Sequence, residues 1–182
     1  MTLINRLNKI LSVLVLLTSF FTFKTFALGS GVQIGGLPSF NISENGVSFS
    51  DFEGNLTGTI KLFRLPAAFG FGLEAGLENK DFMFGLSGFF DYWALDLQLE
   101  NTWNLYSGFG IFGKIMMNTV SDFTGTLAAR FFIGSNLLFY DNFLEYYWQV
   151  NVQPGYEKSF TENSKAAFKL FLPLETGVRF HF

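Results

Sequence analysis

The segment Phe143–Gln153, FLEYYWQVNVQ, alternates strictly along its length. Its even positions are Leu144, Tyr146, Trp148, Val150 and Val152, and its odd positions include Glu145, Gln149, Asn151 and Gln153. Side chains of an extended strand point to opposite faces with a period of two, so this pattern predicts a strand with one apolar and one polar face. The end of the chain repeats it: Leu170, Leu172, Leu174, Val178, Phe180 and Phe182 share a face, and Glu175, Gly177, Arg179 and His181 share the other. Between Ala67 and Glu78, Phe69, Phe71, Leu73, Ala75 and Leu77 oppose Gly70, Gly72, Glu74 and Gly76. The same test along the chain predicts eight strands, at 29–37, 55–64, 67–78, 82–97, 104–117, 124–136, 142–154 and 169–182. The 82–97 segment is the least regular, because Phe89 and Trp93 fall on the face of Ser87 and Asp91.

The predicted connections alternate in length. Short turns fall near Leu65-Pro66, Leu99–Trp103 and Leu137–Asp141. The others fall at 38–54, Glu78–Asp81, Asn118–Phe123 and 155–168, and two of these are long and polar. Short turns at the end that holds both termini and longer loops at the far end are the asymmetry of a transmembrane barrel. Trp93, Trp103 and Tyr106 flank one short turn, and Phe139, Tyr140 and Phe143 another, as an interfacial aromatic girdle would.

Residues 1–27 stand apart. Arg6 and Lys9 precede the apolar run Ile10–Phe21, and Thr25-Phe26-Ala27 places small residues at the −3 and −1 positions of a cleavage site. This is the pattern of a secretory signal peptide, and the apolar run is short of the ~20 residues of a spanning helix. The expected mature domain is 28–182. Three of the 12 basic residues and none of the 15 acidic ones lie in 1–27, so the remainder carries nine against 15, a formal charge of −6. So acidic a chain is a poor nucleic-acid binder. With no cysteine there is no disulfide framework, thiolate metal site or Cys nucleophile.

The 26 phenylalanines in 182 residues exceed what a soluble domain of this size readily buries, yet no segment of 28–182 is an apolar run long enough to span a bilayer as a helix. Only helices and closed barrels satisfy every backbone group in lipid. The sequence therefore predicts an all-β fold: an eight-stranded antiparallel up-and-down transmembrane β-barrel preceded by a signal peptide.

Alternation alone does not say which face meets lipid, since a soluble lipocalin-like cup puts its apolar face inward. Two features favour the membrane arrangement. The non-apolar face holds Gly31, Gly35, Gly70, Gly72, Gly76, Gly108, Gly110, Gly134 and Gly177, and an eight-stranded lumen has reason to be crowded. It also holds Lys61, Lys114, Arg130 and Arg179 against Glu74, Asp91, Glu145 and Glu175, four of each sign, as buried charges that must pair would require.

The chain ends in Gly177-Val178-Arg179-Phe180-His181-Phe182. Val178, Phe180 and the terminal Phe182 resemble the C-terminal signal by which the assembly machinery recognises outer-membrane barrels. With the signal peptide and eight strands, the mature chain resembles small OmpA-like and OmpX-like barrels. The stretches Phe90-Asp91-Tyr92, Tyr106–Gly110 and Leu172–Phe180 are similar to an OmpA-like family of spirochaetal membrane proteins. The resemblance implies a bacterial outer-membrane location, contacts with membrane lipid and with the barrel-assembly machinery, and a role in anchoring, adhesion or surface stability, or at most a narrow pore. The peptidoglycan-binding domain of OmpA has no counterpart here, so that role is not carried over.

His181 is the only histidine. The lipid A deacylase and palmitoyl transferase barrels need a His with a Ser and a carboxylate near the outer leaflet, and His181 lies by the C-terminus at the opposite end. Catalysis, a metal and a cofactor are therefore not expected. The lumen charges form either a plug that fixes strand register or a gate in which pairs such as Lys114–Glu145 exchange partners. The segment Pro38–Gly54, with Phe40, Glu44, Phe49, Asp51 and Phe52, is the candidate surface loop: its aromatics either meet an extracellular ligand or, as such residues more often do, pack onto the barrel rim. Three functions remain: a non-enzymatic barrel presenting loops for adhesion or surface stability, a small-solute pore, and a barrel that binds a hydrophobic ligand in its lumen or through its wall. Intact mass of the exported protein should correspond to a chain starting at Leu28; retention of 1–27 would make that segment an anchor.

Overall fold

The computed structural model describes residues 28–44, 46–62, 65–78, 81–118, 123–160 and 166–182. The proposed signal segment lies outside them. The strands are β1 (Leu28–Ser43), β2 (Gly46–Leu62), β3 (Ala67–Glu78), β4 (Asp81–Glu100), β5 (Trp103–Asn118), β6 (Phe123–Phe139), β7 (Leu144–Ser159), β8 (Ala167–Phe171) and β9 (Leu174–His181). Each pairs antiparallel with the next in sequence, except that β8 and β9 are two pieces of one strand. Both lie between β7 and β1, which closes the sheet into a ring of eight.

The register fixes the barrel's geometry. Partners run once around the ring from Gly31 through Thr59, Gly70, Phe89, Phe112, Ala128, Gly155 and Lys169 to Asn41, a stagger of ten residues on β1. With a strand rise of ~3.3 Å and a spacing of ~4.8 Å, that stagger tilts the strands by ~41°. Strands of 16 residues, the length of β1, β5 and β7, then stand ~40 Å tall.

The apolar face points outward over this whole height. Exposed Val47, Phe49, Phe82, Phe123 and Phe160 reach the far rim, and exposed Leu99, Trp103, Phe139, Tyr140 and Phe182 the rim that holds the termini. A water-soluble cup would bury these side chains. The lumen face carries the buried polar residues.

The structure alters three expectations about the chain's path. First, 38–54 is not a loop: β1 and β2 run through it and meet at a hairpin around Glu44. Of the candidate loop residues only Glu44 is in a turn. Phe40 and Phe49 are cross-strand partners with rings 5.8 Å apart at 82°, Phe52 faces outward, and Asp51 is buried in the lumen. A bulge between Pro38 and Phe40 hid the continuing alternation. Second, β7 runs on to Ser159 despite Pro154, and the last strand is broken at Leu172-Pro173. The far-end connections are therefore short, two, two, four and seven residues between strand ends. Third, Trp93 and Tyr106 are not girdle residues. They stack in the lumen with ring centroids 4.2 Å apart, since Trp93 keeps the inward phase of Ser87 and Asp91 and Tyr106 that of Gly108; the outward phase of β4 changes only beyond Trp93, at a bulge before Leu95. Phe139, Tyr140 and Phe143 are exposed, as is Trp103, whose indole donates to the Ser135 hydroxyl at 2.5 Å.

Phe89 also points into the lumen, and Gly70 opposite makes that fit: a Cβ on Gly70 would lie 2.1 Å from the Phe89 ring. Gly31 is tighter still, since its Cβ would lie 1.9 Å from the Val178 carbonyl oxygen of β9. Gly31→Ala should lower stability by about 1–3 kcal/mol. Gly58→Ala, whose Cβ meets only the Phe71 carbonyl oxygen at 3.7 Å, should change it by less than about 0.5 kcal/mol. Urea unfolding in lipid vesicles checks this, and equal midpoints would show that the lumen is not crowded.

Candidate functional site

Among the described residues charge concentrates in the lumen, and it is layered. Nearest the termini, Glu145 of β7 is a hub. The Lys61 ammonium of β2 lies 3.4 Å from its carboxylate, Arg179 Nη1 of β9 3.5 Å, His181 Nε2 2.9 Å, and Asn136 donates at 2.5 Å. Aromatic faces cover these cations: Lys61 Nζ is 3.6 Å from the Trp93 ring centroid, and the Arg179 guanidinium 3.7 Å from that of Tyr147. The Tyr147 hydroxyl reaches Gln33 of β1 at 3.0 Å.

The next layer is built on Arg130 of β6. Its Nε lies 3.1 Å from Asp91 of β4, and its two terminal nitrogens hold Glu175 of β9 in a bidentate pair at 3.1 and 2.5 Å. Gln149 and Asn151 donate to the same Glu175 oxygen at 2.8 and 2.9 Å. Strand β4 and the β8–β9 strand stand opposite each other in the ring, so Arg130 braces the barrel across its diameter. Arg130 has no solvent exposure (0%), and neither has Glu145 (0%).

Above the brace the lumen turns apolar. Leu37, Phe89, Phe112 and Ala128 form a buried cluster, and Phe171 is enclosed beside it. Gln153 projects into this region fully buried, with neither amide atom partnered among the described residues. Toward the far rim come two more ion groups. Lys114 of β5 pairs with Glu53 of β2 and lies 4.0 Å from Glu74 of β3. Lys169 of β8 lies 3.0 Å from Asp51 and 2.5 Å from Glu157.

All eight charged residues inferred from alternation lie in the lumen, but their grouping differs from the Lys114–Glu145 example. Glu145 belongs to the layer at the termini and Lys114 to the layer beyond the apolar plug, so they share no contact. The balance of four and four was incomplete as well. Asp51, Glu53, Glu157 and Lys169 also point inward, giving seven carboxylates against five cations and His181 among the described residues. The expected loops 38–54 and 155–168 contain Asp51, Glu53 and Glu157, and Lys169 opens the last expected strand. The signal that finds them is the same alternation carried further: Asp51 and Glu53 continue the phase of Asn55, Thr57, Thr59 and Lys61, and Glu157 that of Gln149, Asn151 and Gln153. At the C-terminus Val178, Phe180 and Phe182 point outward, with Phe180 and Phe182 exposed. Among the described residues no group of three or more His, Asp or Glu is placed to hold a metal ion.

Removing Arg130 alone leaves Asp91 and Glu175 buried without a counter-charge, which costs about 3–5 kcal/mol. Arg130→Met should therefore destabilise the barrel strongly, and adding Asp91→Asn and Glu175→Gln should recover most of the loss. Denaturant midpoints measure both. An Arg130→Met barrel of unchanged stability would mean that water reaches this layer.

No protein-family model matches the chain, and no curated protein sequence matches it. Solved structures do. Neisserial surface protein A (NspA) superposes with a TM-score of 0.50 at 13% identity, over 84% of this chain and 97% of that one. Ail, the attachment invasion locus protein of Yersinia pestis, superposes at 0.39 with 13% identity over 86% of this chain and 99% of that one. The N-terminal barrel domain of Pseudomonas aeruginosa OprF superposes at 0.38 with 12% identity, over 82% and 97%. The likeness to NspA shows the fold, that of a small outer-membrane β-barrel.

Proposed function

We propose that this chain is a non-enzymatic integral barrel of a bacterial outer membrane, with a sealed lumen and a role in membrane or surface stability. The observation that carries the reading is the Arg130 brace. A fully buried guanidinium tied to Asp91 and Glu175 on opposite walls, with an apolar cluster stacked on it, supports a lumen closed to water along the axis. The paired charges hold register, since a slip of one residue on any strand would turn its lumen set toward lipid.

The far end supports stability more than adhesion through long loops. Its strand ends are joined by two to seven residues, and exposed Val47, Phe49, Phe82 and Phe160 carry the apolar wall up to the rim. A wall of ~40 Å matches the full thickness of a bilayer with its headgroup regions, ~40–45 Å, so the rims sit at headgroup level. An extracellular ligand would meet a narrow rim around Glu44 rather than a large loop. Insertion follows the outer-membrane route, with the Val178–Phe182 end offered to the assembly machinery.

Planar-bilayer recording of the inserted barrel tests this. Silence is the expected result. Discrete conductance steps that change with Arg130→Met would replace the structural reading by a gated pore, and steps insensitive to it would mean a path that bypasses the brace.

A further inference from the structure

Three of the four prolines in the sequence meet at one place in the wall. Pro173 breaks the strand between β8 and β9, Pro154 lies on β7 beside Leu170, and Pro38 on β1 faces the same break. A proline donates no ladder hydrogen bond, and inside a closed sheet no solvent makes up the loss. Two bonds bridge the break, Leu172 N to the Pro38 carbonyl at 3.0 Å and Asn151 N to the Pro173 carbonyl at 2.9 Å.

On the membrane-facing side, directly along β9 from this break, the wall is dented. The depression is about 450 Å³, with Ile34, Trp148 and Leu174 as its sides and Gly36 and Thr176 among its lining. Toward the termini it ends in hydroxyls: Thr176 Oγ1 lies 3.1 Å from the Tyr146 hydroxyl and donates to the Tyr147 carbonyl at 2.9 Å. Two other dents lie on the wall. One of about 440 Å³ is lined by Leu73 and Phe84 and is almost wholly apolar, and one of about 510 Å³ lies over Gly58. The dent over Gly58 also carries hydroxyls, Ser30 and Thr59, but it does not run to the proline break. Of these three, the first joins paired hydroxyls on the side of the terminal rim to an apolar run that stops at the break.

We infer that this groove seats one acyl chain of a membrane phospholipid, with the lipid's ester region against Tyr146 and Thr176 and the chain running along Trp148 and Leu174 toward the proline break. Phospholipid is the occupant because the groove opens into the bilayer, is apolar over most of its length, and carries its hydroxyls at the end nearest an interface. The inference rests on the lipid-embedded reading of the barrel. That reading fails separately if the protein does not float with vesicles.

Native mass spectrometry of the full barrel from maltoside micelles, titrated with 1-palmitoyl-2-oleoyl phosphatidylethanolamine, tests it. One retained lipid is expected, reduced about tenfold by Gly36→Leu, which narrows the groove from the β1 side and displaces the Phe52 ring 3.0 Å from a Cβ there, and unchanged by Gly58→Leu, which fills the other dent. A heat-modifiable gel shift identifies variants that have folded. If Gly36→Leu does not fold, Thr176→Val keeps the side-chain volume and removes the hydroxyl, and retention should fall severalfold. In the Trp103→Phe background, phosphatidylethanolamine with brominated chains should quench Trp148 saturably. No retained lipid, equal loss in Gly36→Leu and Gly58→Leu, or quenching that only rises in proportion to lipid would overturn the inference.

Discussion

In hydrocarbon an unbonded backbone amide or carbonyl costs several kcal/mol, so a sheet that crosses a bilayer has to close on itself. Closure here takes eight strands and a stagger of ten residues, and the rest of the architecture is set by those two integers. They fix the tilt, and with it a lumen only wide enough for side chains. Glycine at Gly70 and Gly31 is a consequence, since a Cβ there would enter a ring or a carbonyl of the neighbouring strand. So is the segregation of the chain's chemistry, with an apolar wall and the charges in the middle.

A narrow lumen gives its charges little water, and each has to find its counter-charge in protein. The solution is a set of braces between strands that are not neighbours: Lys61 of β2 to Glu145 of β7, Lys114 of β5 to Glu53 of β2, and Arg130 of β6 to both Asp91 and Glu175. Ladder hydrogen bonds join adjacent strands whatever the register, whereas these braces form in one register alone. Buried ion pairs add little to stability compared with apolar packing, and specifying one arrangement among several is the best-attested use of such groups. The apolar cluster of Leu37, Phe89, Phe112 and Ala128 separates the inner and outer ion groups, so neither can rearrange through the other.

Much of this was legible in the sequence because a barrel strand writes its two faces in alternate residues. Closure, strand number and the inward direction of Lys61, Glu74, Asp91, Lys114, Arg130, Glu145, Glu175 and Arg179 all follow from that period of two. What failed to read through were places where the period slips or a residue mimics a turn. The bulge after Pro38 made two strands look like a loop and concealed Asp51 and Glu53. The Pro154-Gly155 pair looked like the end of β7 and concealed Glu157. Trp93 and Tyr106 were placed by residue type, since aromatics near a turn suggest an interface, although their phase already put them with Asp91 and Gly108. Pairing itself was not legible: which cation meets which carboxylate depends on the stagger, and no local pattern encodes a stagger.

The stagger also locates where the wall departs from its own rules. The outward face changes phase near the terminal rim of β4, at the bulge after Trp93, and is interrupted again where three prolines lie around one break between β7 and β1. Nothing in the lumen requires them, for Phe171 and Glu175 on either side of the break keep their inward phase and Glu175 keeps its bond to Arg130. Nor do they serve a turn, since the chain resumes in the same direction between the same neighbours. A local rule broken without gain to the fold is where function is to be sought. The far-end connections are short, and on the proposed reading of a closed lumen the wall is the surface that meets other molecules, with this seam the place where three prolines interrupt it.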